Sequence, residues 1–70
     1  MSIAINLVKG YRVGAGISQL EMAKELGMSE PTYRVLENNP DKFTVEQIKK
    51  FVSLIQKVEP EAKAEDIFFK

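Results

Sequence analysis

The twenty-one residues SQLEMAKELGMSEPTYRVLEN, 18–38, are punctuated so densely that only short helices fit them. Ser18 and Glu21 make the S-x-x-E pattern, in which a serine hydroxyl and a glutamate carboxylate satisfy each other's end-of-helix amides. Further on, Gly27 offers the left-handed backbone that closes a helix. Ser29 can cap a second helix, and Pro31 is tolerated in the turn that follows because amides there have no intrahelical acceptor. The stretch therefore reads as two brief helices joined at a glycine, with Met22, Leu26, Met28, Tyr33 and Leu36 as their apolar side.

The flanking sequence reads the same way. Residues 3–13 place Ala4, Leu7, Val8 and Tyr11 at helical spacing, with Ser2 as a cap and Gly14-Ala15-Gly16 as a stop. The segment ENNPDKF, 37–43, breaks the pattern, since a residue before proline avoids the helical region. Thr44 and Gln47 then repeat the capping box and open a fourth helix, expected to bury Val45, Ile48, Val52 and Ile55 and to end at Glu59-Pro60. Residues 61–69 make a last short helix with Ile67 and Phe68 on the core; Phe69 either joins them or serves an interface. No strand-like alternation or internal repeat occurs. Seventy residues at 44 % hydrophobic support one core. The expected architecture is all-α, five short helices in a single domain over residues 1–70.

Composition narrows the chemistry. The chain has no cysteine and no histidine, which argues against disulfides, the usual zinc sites and thiol or imidazole catalysis. No clustered acid–base pair or phosphate loop is present, and the GAG at 14–16 lacks a preceding strand. The expectation is a protein that is not an enzyme and needs no metal or cofactor. MSIAINLVKGYRVGAG lacks the pattern of a signal peptide or membrane span, so a cytoplasmic location is expected. Ten basic and ten acidic residues cancel, whereas an autonomous DNA-binding domain generally carries a basic excess.

A helix-turn-helix imposes steric demands that can be checked by position. It needs a small residue where its helices cross, and Ala23 is there; it needs glycine in the turn, and Gly27 is there. With these residues, the S-Q-x-E-x-A opening and the closing LEN, ISQLEMAKELGMSEPTYRVLEN resembles the helix-turn-helix of the XRE, or Cro/CI-type, family of phage and bacterial repressors. The resemblance covers residues 3 to 69, including AEDIFF, which is similar to the family's closing helix. It implies a compact five-helix lambda-repressor-like DNA-binding domain with its helix-turn-helix at 19–38. In that family an arginine of the first helix commonly pairs with a glutamate just after the recognition helix. Arg12 and Glu37 occupy those positions, which implies a structural ion pair.

The resemblance also implies a contact surface for DNA or a partner, made of Gln19, Ser29, Glu30, Pro31, Thr32, Arg34, Val35 and Lys42. Gln19 falls where a side chain and helix N-terminus meet a phosphate, and Glu30, Pro31, Thr32, Arg34 and Val35 cover the face that would enter the major groove. Several of these read two ways. Glu30 accepts from a cytosine amino group or simply suits a helix N-terminus; Arg34 pairs with guanine or phosphate, or is a solvated charge. Lys49, Lys50 and Lys57 read as a solvated helix face. The family often places lysines and arginines after the recognition helix, but NNPDKF supplies Asp41 and only Lys42.

Size and organisation are also similar to the modulator-of-repression proteins (MOR-type antirepressors) of temperate phages. That implies a small regulator of a lysis–lysogeny switch in a bacterial host, modulating repression by binding a partner CI-type repressor, with weak or cooperative binding to operator DNA. The alternative is an autonomous Cro-like homodimeric repressor that binds operator DNA through its recognition helix.

Overall fold

The computed structural model describes residues 6–69. Within them the chain runs α1 (Leu7–Gly14), α2 (Gln19–Leu26), α3 (Glu30–Asn38), a single 3₁₀ turn (Pro40–Lys42), α4 (Val45–Gln56) and α5 (Ala64–Phe68). The fold is all-α, as the spacing predicts, with no strand among the described residues.

The first helix begins at Leu7, later than the 3–13 periodicity suggests. Asn6 is extended at φ −89°, ψ 91°, and its Oδ1 accepts from the Lys9 amide at 3.0 Å. Its Nδ2 donates to the Glu37 carbonyl at 2.8 Å. A tertiary contact to the end of α3 thus fixes where α1 starts. The expected cap, Ser2, lies outside the described residues, as does Ala4.

The glycine stops act through a shared geometry. Gly16 and Gly27 both sit at φ 74°, a conformation that costs any residue with a Cβ roughly 1–2 kcal/mol. After α1, the Gly16 amide donates to Val13 and the Ile17 amide to Arg12; after α2, Gly27 donates to Lys24 and Met28 to Ala23. This paired 5→2 and 6→1 closure returns two otherwise orphaned carbonyls to hydrogen bonding at each helix end. The two capping boxes form with both bonds in place, Ser18 with Glu21 and Thr44 with Gln47. Each such cap contributes on the order of 1 kcal/mol.

The core gathers Val8, Met22, Ala23, Leu26, Tyr33, Phe43, Phe51, Val52, Ile55, Ala62 and Ile67. α2 packs on α3 and α4, while α5 packs on α1 and α4. Three rings meet edge-on at the centre of the α4–α5 half. Phe43 and Phe68 have centroids 4.8 Å apart, Phe51 and Phe68 5.5 Å, and Phe43 and Phe51 5.9 Å, the arrangement that ring quadrupoles favour.

The structure corrects two expectations about α4. Val45 is 70 % exposed, and Phe51 is fully buried instead. Ile48, Phe51, Val52 and Ile55 form an i, i+3, i+4, i+7 stripe, and Val45 falls off its edge in the first turn. The helix also ends at Gln56, before Glu59-Pro60, because the amides of Val58 and Glu59 both turn back to the Ile55 carbonyl. The Gln56 side chain then straps the following loop by donating to the Ala62 carbonyl at 2.8 Å. α5 is correspondingly shorter than the 61–69 expectation. Phe69, just past it, is 70 % exposed and so is not a core residue. No helix among the described residues is long and apolar enough to cross a membrane.

Candidate nucleic-acid interface

The short helices α2 and α3 meet across Gly27 with Ala23 fully buried at their crossing, the geometry of a helix-turn-helix. α3 is started by Ser29, whose Oγ accepts from the Thr32 amide at 3.4 Å. Its inner side is set by Tyr33 and Glu37, one turn apart and both buried, with Leu36 half-buried. A nine-residue helix pinned on that side must turn the rest of its sequence outward. Pro31, Thr32, Arg34 and Val35 are accordingly exposed and Glu30 is half-exposed.

What pins α3 is a buried carboxylate with four donors. The Glu37 oxygens accept from Arg12 Nε at 2.6 Å, Arg12 Nη2 at 3.1 Å, the Tyr33 hydroxyl at 2.7 Å and Gln19 Nε2 at 3.2 Å. The Arg12 fork also gives Nη1 to the Ile17 carbonyl at 2.7 Å. The two charged side chains are only 8 % and 1 % exposed. A charge taken this far out of water is tolerated only when it is paired and fully hydrogen-bonded, and no buried side-chain polar atom among the described residues lacks a partner.

The electrostatics follow from these contacts. Burial opposes ionisation of Glu37, but the hydrogen bonds from Arg12, Tyr33 and Gln19 outweigh it and hold the carboxyl below the ordinary carboxylate range. Burial, reinforced by donation to Glu37, pushes the Tyr33 phenol up. The hydrogen bond to Glu37 likewise raises Arg12. The cluster is therefore a fixed ion pair with a neutral phenol at neutral pH.

Gln19 carries this interior network to the surface. While its Nε2 donates to Glu37, its Oε1 accepts from Arg34 Nε at 3.3 Å. Arg34 Nη2 lies 4.0 Å from Glu30 Oε1, one turn earlier on α3. Of the residues expected at the contact surface, the structure brings Gln19, Glu30 and Arg34 together by these contacts. Ser29 and Thr32 form a second pair, with the Ser29 hydroxyl donating to Thr32 Oγ1 at 2.8 Å. Pro31 and Val35 stand one turn apart on the same exposed face. Lys42 is exposed in the 3₁₀ turn after α3 and takes part in none of these hydrogen bonds.

Two participants are not evident from the pattern of the sequence alone. Tyr33 reads as an apolar core residue, yet its hydroxyl is one of the four donors to Glu37; the i, i+4 spacing of the two is the signal that points to it. Asn6 reads as part of the first helix, yet it binds the far end of α3. Among the described residues no three acidic side chains gather as a metal site would require.

A helix-turn-helix family model matches residues 8–62 of the chain. Comparison with curated proteins and with solved structures returns no match.

Proposed function

The chain belongs to this helix-turn-helix family of DNA-binding transcription regulators, and from that premise we propose that it modulates repression together with a partner CI-type repressor. In this reading it works in a phage-type lysis–lysogeny switch and holds operator DNA weakly or cooperatively. The observation that carries the reading is the position of Arg34, the single cation in EPTYRVLEN, between Glu30 and Gln19. Phosphate neutralisation by lysine and arginine supplies most non-specific affinity for DNA. A recognition helix whose cation is already shared with its own acid draws less of that affinity. The chain as a whole adds no basic excess to replace it, so a second protein on the operator supplies the missing binding energy.

The test is a titration of the purified protein against its own intergenic DNA at low salt, with and without the neighbouring repressor. The expected result is weak binding alone, a stable complex with the repressor, and loss of that complex on Glu30→Lys. Tight, sequence-specific binding by the protein alone, abolished by Thr32→Ala or Arg34→Ala, would instead establish the Cro-like homodimeric repressor.

A further inference from the structure

α1 turns Val8 and Arg12 into the core. A second face of the same helix borders a groove of about 560 Å³. Leu7, Gly10, Tyr11 and Gly14, at i, i+3, i+4 and i+7, form one wall, and Val58 and Glu59, in the loop after α4, form the other. The groove is open along α1 because two of those positions carry no side chain, and a Cβ at Gly10 or Gly14 meets nothing within 4 Å. Val58 on the opposite wall is 59 % exposed. A volume of this size lies in the range of sites that take small molecules, which are mostly apolar with a few convergent polar groups.

Two polar groups in the lining are committed to nothing else. Among the described residues neither the Tyr11 hydroxyl nor the Glu59 carboxylate has a hydrogen-bond or ion-pair partner. Glu59 is also the one charged residue among the described residues of the lining. From the other wall, the last turn of α1, ending at Gly14, presents the negative end of its helix dipole. Both walls therefore disfavour an anion and attract a cation, and the Tyr11 ring adds an aromatic surface of the kind on which cations pack. We propose that this groove binds a small organic cation, an apolar chain ending in an ammonium group, with the chain laid along Gly10 and Gly14 and the ammonium beside Glu59. No described residue of α2 or α3 lines the groove. The site is thus separate from the candidate nucleic-acid interface, and the inference does not depend on the function proposed above.

Titration of the full chain with phenylbutylamine, followed by two-dimensional NMR of the backbone amides, tests this, with phenylbutanol as the uncharged counterpart. The expected result is saturable shifts centred on α1 and on Val58 and Glu59, and binding of the amine about threefold tighter than that of the alcohol, the scale of one exposed charge interaction. Glu59→Gln should bring the two ligands to equal affinity and leave the alcohol unaffected. Gly10→Leu fills the groove from an exposed helical position where leucine is favoured over glycine. It should weaken the amine at least tenfold without lowering the melting temperature. Equal binding of amine and alcohol by the unaltered chain, amine binding that survives Gly10→Leu, or no saturable shifts with either ligand would each overturn the inference and leave the proposed function standing.

Discussion

Tyr33 and Glu37 stand one turn apart on α3, and the phenol donates to the carboxylate at 2.7 Å although both side chains are buried. The pair is local in sequence, yet it completes a carboxylate that also binds α1 and α2. Tyr33→Phe keeps the ring and removes one donor. The expected cost is about 2 kcal/mol, the scale of a hydrogen bond to a charged group, read from urea denaturation with an unchanged m-value.

Glu37→Gln goes further, because it leaves the Arg12 guanidinium buried without its counter-charge. A loss of about 3 kcal/mol is expected, which in a domain this small lowers the melting temperature by more than ten degrees, at roughly 4–8 °C per kcal/mol. Arg12→Gln should cost a comparable amount, and the double variant less than the sum, since both break the same interaction. Strict additivity in calorimetry would show that the two charges are not coupled.

The cluster also sets a pH window. The Glu37 carboxyl titrates below its ordinary value of 4.5, so the folded protein holds that proton less tightly than the unfolded chain. Its contribution is complete above about pH 4.5 and is lost as the pH falls through the lower folded value. The Tyr33 phenol titrates above its ordinary value of 10.0, so its contribution is complete below that pH and is lost as the pH rises past it. Melting temperatures followed from pH 2 to 11 should show both declines, and Glu37→Gln should flatten the acidic one.

Glu30→Gln removes the acid that shares Arg34. DNA binding at low salt should strengthen, and the slope of log affinity against log salt should steepen by about one unit as a guanidinium becomes available to phosphate. Fluorescence anisotropy with a fixed duplex measures both. An unchanged slope would mean that Arg34 is not near a phosphate even when released.

Gly27→Ala introduces a Cβ into open space, so crowding is not the difficulty. The backbone at φ 74° is. A destabilisation of about 1–2 kcal/mol is expected, and Gly27→Asn should recover part of it because asparagine tolerates the left-handed region better.

The parts of the fold that were legible in the sequence are those decided within a few residues. Ser18 with Glu21, Thr44 with Gln47, and Gly27 each act on their own helix end, and each is found as the spacing predicts. Val45 departs from the expected burial because its periodicity fits α4 nearly as well as that of Phe51 does; only the positions of Phe43 and Phe68 decide which of them is covered. The start of α1 departs from the periodicity for a similar reason, since Asn6 is chosen as the cap by a carbonyl 31 residues away. At the candidate site, the outward face of α3 follows from its own helical period, whereas the link from Glu37 through Gln19 to Arg34 depends on how α2 crosses α3. Ala23 and Gly27 mark where the helices cross, but not which polar side chains the crossing brings together.

Asn6 holds the first turn of α1 with its oxygen and the last turn of α3 with its nitrogen. The amide group cannot release one end without disturbing the other, so the two turns share a single opening event. In hydrogen exchange the Lys9 amide should therefore report on the integrity of the reading helix, and a ligand that clamps α3 should slow exchange in α1, on the opposite side of the chain's first glycine stop.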